Sequence, residues 1–139
     1  VGTVSKNTML IEQFVLYDQG EDDGQSKFVA RPGKVLLHGH CHQKAMVGTK
    51  PAMDVLRSIP GCDPQEILSG CCGMAGSFGF EKEHYDVSLL IAEQTLLPAI
   101  RSQPGEFTVV SEGVSCRQQI EDGTGKRPDH LVQLLDKAL

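Results

Sequence analysis

Residues 34–42 read KVLLHGHCH. Val35, Leu36 and Leu37 form a short unbroken apolar run closed by a histidine, and Cys41 follows with His40 and His42 on either side. A run this short with no polar alternation is expected to be a strand buried on both faces, as in parallel sheets. Two further runs, QEILS at 65–69 and EFTVVS at 106–111, have the same character. Between them lie helical patterns. In GTKPAMDVLRSIPG (48–61), Thr49 and Pro51 mark a helix start, Ala52, Val55, Leu56 and Ile59 form one face, and Pro60-Gly61 ends it. The longest pattern runs from Glu81 to Arg101, with Tyr85, Leu89, Ala92, Leu96 and Ile100 on one stripe; Pro98, lacking an N–H, should kink or shorten it. A last helix is expected after Pro128, with Leu131, Leu134, Leu135 and Ala138 facing the core. This alternation predicts an α/β fold: a small parallel sheet with flanking helices.

Upstream, Leu10, Phe14 and Tyr17 recur at helical spacing and predict a short amphipathic helix over 7–17. The acidic stretch DQGEDDGQSK (18–27) reads as an exposed loop. Residues 1–33 are therefore an N-terminal helix and loop suited to docking on a neighbouring domain, and residues 34–139 form the α/β domain proper. The 139-residue chain opens on Val1 and reads as an excerpt of a longer protein.

The chain carries a net charge of −5, no Trp, five Phe and two Tyr, which argues against a nucleic-acid surface. No apolar run has the length of a membrane span, so direct membrane insertion is not expected. The cysteine count is five, an odd number that does not suit a secreted disulfide framework. A reducing, cytoplasmic compartment is expected instead, where grouped cysteines are metal ligands or redox groups.

Four of the five follow an expected strand: Cys41 after the first, Cys71 and Cys72 after the second, Cys116 after the third. Strands of a parallel sheet share one carboxyl edge, and α/β proteins place their sites there. The four thiols should converge, and converging thiols suit zinc or an iron–sulfur cluster. SGCCGMAGSFG (69–79) adds glycines at 70, 73, 76 and 79, which let the backbone approach sulfur closely and aim N–H groups at it. The spacing G-x-x-G-x-x-G differs from the dinucleotide fingerprint. His40 and His42 suit either a mixed Cys/His site or a strand end whose backbone they hydrogen-bond. Arg117 suits either an anionic centre or a helix cap. Cys62 reads as a bystander, and His84 and His130 as surface or helix-start residues.

HGHCHQKA (38–45), SGCCGMAGSFGFEKEHYDVSLLIAEQTLLPAIR (69–101) and VVSEGVSCRQQI (109–120) resemble the cysteine-rich CCG domain of iron–sulfur oxidoreductases. Proteins of that kind are the cysteine-rich component of heterodisulfide reductase and the iron–sulfur component of glycolate oxidase. The nearest resemblance is to the C-terminal part of FAD-linked D-2-hydroxy-acid oxidases and dehydrogenases. The resemblance implies an electron-transfer domain with a [4Fe–4S] cluster on Cys41, Cys71, Cys72 and Cys116 beside Gly73, or zinc on the same residues. It also implies partners that carry the flavin and a ferredoxin-like segment, FAD outside this chain, a substrate of the D-lactate, glycolate or 2-hydroxyglutarate type, and a parent complex at the inner-membrane periphery. The family pattern ends in Cys-x-x-Cys, and Gly113 stands at its first position, so four matching thiols remain. A structural zinc module, or a reactive thiol at Cys71 or Cys72, are the competing readings.

Overall fold

The computed structural model describes residues 2–21 and 27–139. Three strands, β1 (Gly33–His38), β2 (Cys62–Glu66) and β3 (Thr108–Ser111), form one all-parallel sheet in the order β2-β1-β3. The α/β expectation holds. Eight α-helices accompany the sheet among the described residues: α1 (Gly2–Lys6), α2 (Ile11–Glu21), α3 (Cys41–Met46), α4 (Lys50–Ser58), α5 (Tyr85–Glu93), α6 (Leu96–Arg101), α7 (Val114–Thr124) and α8 (Leu131–Ala138).

The chain leaves β1 for one edge of the sheet and returns past it to the other. Crossovers of constant hand then require the two connections to cover opposite faces, and the core divides accordingly. Val35 and Leu37 of β1 pack with Val110 against α4 and α8. Leu36 and Val109 face the other way, toward Ala92, Leu96, Leu97 and Ile100 on α5–α6 and Ile120 on α7. The sheet therefore lies between two helical layers, which is why β1 shows no polar alternation. The predicted faces of α4 and α8 are all buried: Ala52, Val55, Leu56 and Ile59 on one, Leu131, Leu134, Leu135 and Ala138 on the other.

Several expectations are corrected. The second strand begins at Cys62, not Gln65, and ends at Glu66, leaving Leu68 in the open. It tolerates Pro64 because it is an edge strand, hydrogen-bonded on one side only. The long helix is two helices. Pro98 denies an N–H to the Gln94 carbonyl and its ring crowds that turn, so the break falls at Gln94–Thr95, ahead of the proline. Tyr85 is exposed and Ser88 takes its place inside.

The N-terminal expectation errs on the face presented. Leu10, Phe14 and Tyr17 point to solvent, while Val15 and Leu16 pack on the core and Glu12 is fully buried. The helical region is two pieces, α1 and α2, and the second continues through the start of the expected acidic loop. Residues 22–26 of that loop lie outside the described residues.

Candidate metal centre

His38 ends β1, and strand periodicity puts it on the same face as Leu36, the face covered by α5, α6 and α7. Ser111 ends β3 directly beside it in register. Beyond these strand ends the chain turns into short loops that start helices: Cys41 is the first residue of α3 and Cys116 the third of α7. Cys71 and Cys72 lie in the loop after β2. All four stand at the carboxyl edge, as the sequence predicts.

The tightest grouping within that edge is not the predicted one. His38, Cys72 and Cys116 bring one donor atom each to within 4.8 Å of one another, and all three are buried. Cys71 is half-buried and Cys41 exposed, outside this group. Their charges still couple: behind the larger effects of burial on Cys71 and of the Cys72 hydrogen bond on Cys116, Cys41 raises the pKa of both. His40 and His42 instead line a neighbouring cavity with Gly113. A Cβ on Gly113 would lie 2.8 Å from the Cys116 sulfur, so this position does face the site.

His38 is the ligand candidate that sequence spacing does not single out. Its Nδ1 lies 2.9 Å from the Ser69 hydroxyl, and Lys44 Nζ donates to the Ser69 carbonyl at 2.7 Å, which fixes the ring from behind. Its Nε2 is buried with no hydrogen bond of ordinary geometry among the described residues, and the ring acts on the Cys72 thiol beside it. A buried, oriented imidazole with one bare nitrogen beside two thiols is the arrangement of a metal-ligating histidine, whose other nitrogen is held by a neighbouring group.

The loop that carries Cys71 and Cys72 is shaped around sulfur. Gly73, Ala75 and Gly76 all have positive φ, at 91°, 41° and 71°. This turns successive N–H groups inward as an anion-binding nest. The Gly73 N–H donates to Cys71 Sγ at 3.3 Å, with the Ala75 N–H on the same sulfur, and the Met74 N–H reaches Cys72. The loop sits hard on α5, since a Cβ on Gly73 would run into the Ser88 carbonyl. Gln119 of α7 clasps the same residue, donating to Ser88 O at 3.2 Å and Oγ at 3.0 Å. Neither Ser88 nor Gln119 stands out in the sequence; their signal is position on a helix face, not residue type.

Cys72 and Cys116 act as one acid. The Cys116 thiol donates to Cys72, which draws the Cys72 pKa down against its burial, with His38 and the Met74 N–H helping. The same bond, together with burial, drives Cys116 up, opposed by the Ser111 hydroxyl. One thiolate is thus stabilised before any cation arrives. For Cys71, burial raises the pKa and the Gly73 N–H works against it.

Other residues resolve plainly. Arg117 Nη1 donates to the carbonyls of Ser111 and Glu112 at 3.0 and 2.8 Å, tying α7 to the turn after β3. Cys62 begins β2, at the opposite end of the sheet, and its pKa is pushed up to about 11 by burial and then by Asp63. His130 caps α8, accepting from the Val132 N–H, and His84 precedes α5 with its ring stacked on Phe78.

The donors present fit a soft metal: two buried thiols and a bare imidazole nitrogen in one group, a third thiol in an N–H nest, and a fourth nearby. The class so defined is an α/β domain with a Cys/His metal-type centre at its carboxyl edge. The curated relatives are dehydrogenases or a subunit of one. The chain is 38% identical over 110 residues to one subunit of the anaerobic glycerol-3-phosphate dehydrogenase of Escherichia coli, covering 78% of this chain and 27% of that one. It is 34% identical over 100 residues to D-2-hydroxyglutarate dehydrogenase of Escherichia coli, and 30% identical over 108 residues to that of Pseudomonas putida. These matches cover 70% and 76% of this chain and 10% of each relative. The chain thus spans about a quarter of the first relative and a tenth of the others. No family model matches, and no solved structure does. No helix among the described residues is long and apolar enough to cross a membrane.

Proposed function

We propose that this chain is the iron–sulfur, electron-relaying domain of a larger flavin-linked dehydrogenase that oxidises a 2-hydroxy acid of the D-2-hydroxyglutarate type. The observation that carries the reading is the convergence of His38, Cys72 and Cys116 within 4.8 Å at the sheet's carboxyl edge. The relatives support its class, being dehydrogenases or part of one. When bound, a [4Fe–4S] cluster supplies a one-electron carrier.

In this reading Cys72 and Cys116 hold the centre from within the core, and Cys71 and Cys41 complete the thiol set from its exposed side. The N–H groups of Gly73, Met74 and Ala75 hydrogen-bond the sulfurs and offset their negative charge. Met74, Ile67 and Ile120 shield the buried side from water. Substrate oxidation and FAD belong to a partner domain or subunit. The exposed Cys41 side is where such a partner would have to approach, since electron transfer needs a short path.

One observation favours a second reading, a single zinc ion with a structural role. Sulfur ligands around one tetrahedral ion lie about 3.8 Å apart. The compact group of His38, Cys72 and Cys116 matches that spacing, with Cys71 or Cys41 as fourth ligand.

Anaerobic purification, reconstitution with iron and sulfide, metal analysis and visible spectra before and after reduction separate the two. Bleachable absorption with stoichiometric iron supports the relay, and in that case Cys41→Ser should cut iron content severalfold. Stoichiometric zinc without a chromophore moves the site to the structural reading. Failure to bind either metal overturns both.

A further inference from the structure

We infer that the cavity beside the metal centre binds a small organic cation, a primary ammonium or guanidinium on a short apolar stem. The cavity measures about 540 Å³, within the range of small-molecule sites. Met9, Met46 and Val114 supply apolar wall, and Gln43 and Glu112 are polar members of the lining.

Two buried oxygens of lining residues, Oε1 of Gln43 and Oε1 of Glu112, have no donor among the described residues, and neither has Oε2 of Glu12, which Gln43 contacts outside the lining. Gln43 is only 6% exposed and Glu12 fully buried. The Gln43 amide already donates to the other Glu12 oxygen at 3.0 Å. What remains is a set of acceptors, two of them carboxylate oxygens close enough for Glu12 to act on Glu112 through its charge. Buried acceptors without donors are costly, and two adjacent carboxylates more so. Among the described residues, no Lys or Arg lines the cavity; the only basic side chains in its wall are the imidazoles of His40 and His42. Below about pH 7 Glu112 answers part of this charge by holding a proton; above it, a partner that brings both positive charge and several N–H groups, as an ammonium or guanidinium does with three or five donors, matches the bare acceptors.

A hard metal ion is a poorer match. It would need six or more oxygens in a tight cage, whereas this is an open cavity with much apolar wall. The inference is independent of what the cysteines hold, because none of its acceptors belongs to that centre.

The test is calorimetric titration of the 139-residue chain with n-butylammonium and ethylguanidinium, with n-butanol as neutral control and Ca²⁺ as metal control. Both organic cations are expected to bind more tightly than about 10 mM, and the alcohol at least tenfold more weakly. Glu112→Gln and Glu12→Gln should each weaken binding by about tenfold, with metal content and circular dichroism unchanged. The inference is overturned if neither cation binds, if the alcohol binds equally well, if Ca²⁺ displaces the amines at the same concentration, or if both variants bind like the parent chain.

Discussion

Two clusters share the carboxyl edge of this sheet, and they are built in opposite ways. The sulfur cluster of His38, Cys72 and Cys116 grows from a strand end, a core-packed loop and the first turn of a core helix. Its charges are answered from within: three backbone N–H groups for the sulfurs and Ser69 for the imidazole. The oxygen cluster of Glu12, Gln43 and Glu112 depends on α2, which Val15 and Leu16 hold against the first core layer. Among the described residues its charges are answered by the Gln43 amide, which donates to Glu12 and draws the Glu112 pKa down against burial and the charge of Glu12. The difference teaches that burial alone does not define a site. The sulfur cluster is preorganised for a soft cation, and the oxygen cluster is left short of donors.

The comparison breaks most readily at the sulfurs. Cys72→Ser or Cys116→Ser should reduce bound metal by about tenfold or more, and His38→Ala should do much the same, read by elemental analysis of the purified chain. If His38→Ala keeps full metal content, the histidine is a core residue only and the bare Nε2 needs another explanation.

Gly73→Ala tests the nest. The substituent would strike the Ser88 carbonyl at a backbone φ of 91°, so a loss of roughly 2–4 kcal/mol is expected in chemical denaturation. Retained stability would mean that the loop can move off α5.

The oxygen cluster has a pH signature of its own. Burial, and then the charge of Glu12, raises the Glu112 carboxyl from 4.5 to about 7. The folded state therefore holds a proton that the unfolded state releases, and stability is fully present below the unfolded value and falls as pH rises from 4.5 through 7. The shift corresponds to about 3 kcal/mol before screening, less for a carboxyl that is partly exposed, and Glu112→Gln should flatten that limb of the stability curve. A parent and variant with parallel profiles would remove Glu112 as its source.

The smallest effect belongs to Cys62. Its thiol lies at the far end of the sheet, so Cys62→Ser should leave metal content untouched and shift stability by less than about 1 kcal/mol.

Much of the fold is legible in the sequence where residue type and spacing coincide with burial. The faces of α4 and α8 can be read because leucine, isoleucine, valine and alanine recur there at helical period. The placement of Cys41, Cys71, Cys72 and Cys116 at one edge follows from parallel strands sharing it, whereas of the four only Cys72 and Cys116 enter the tight group with His38. The N-terminal helix misleads because its apolar residues, Leu10, Phe14 and Tyr17, are left outside while Glu12 goes in. Helices α3 and α7 escape notice for a related reason. Their buried positions are Gln43 on the first and Cys116, Gln119 and Ile120 on the second, faces too polar for hydrophobic periodicity to register.

The sequence by itself determined the layered α/β architecture and the edge where its cysteines gather, because both follow from the order of apolar runs and the shared direction of parallel strands. Only the tertiary structure decided which donors meet. Strand pleat turned His38 toward α7, Ser69 pinned its ring, and the left-handed turn at Gly73 and Ala75 pointed three amides at sulfur. These are matters of direction and distance, which sequence spacing across three separate loops does not encode.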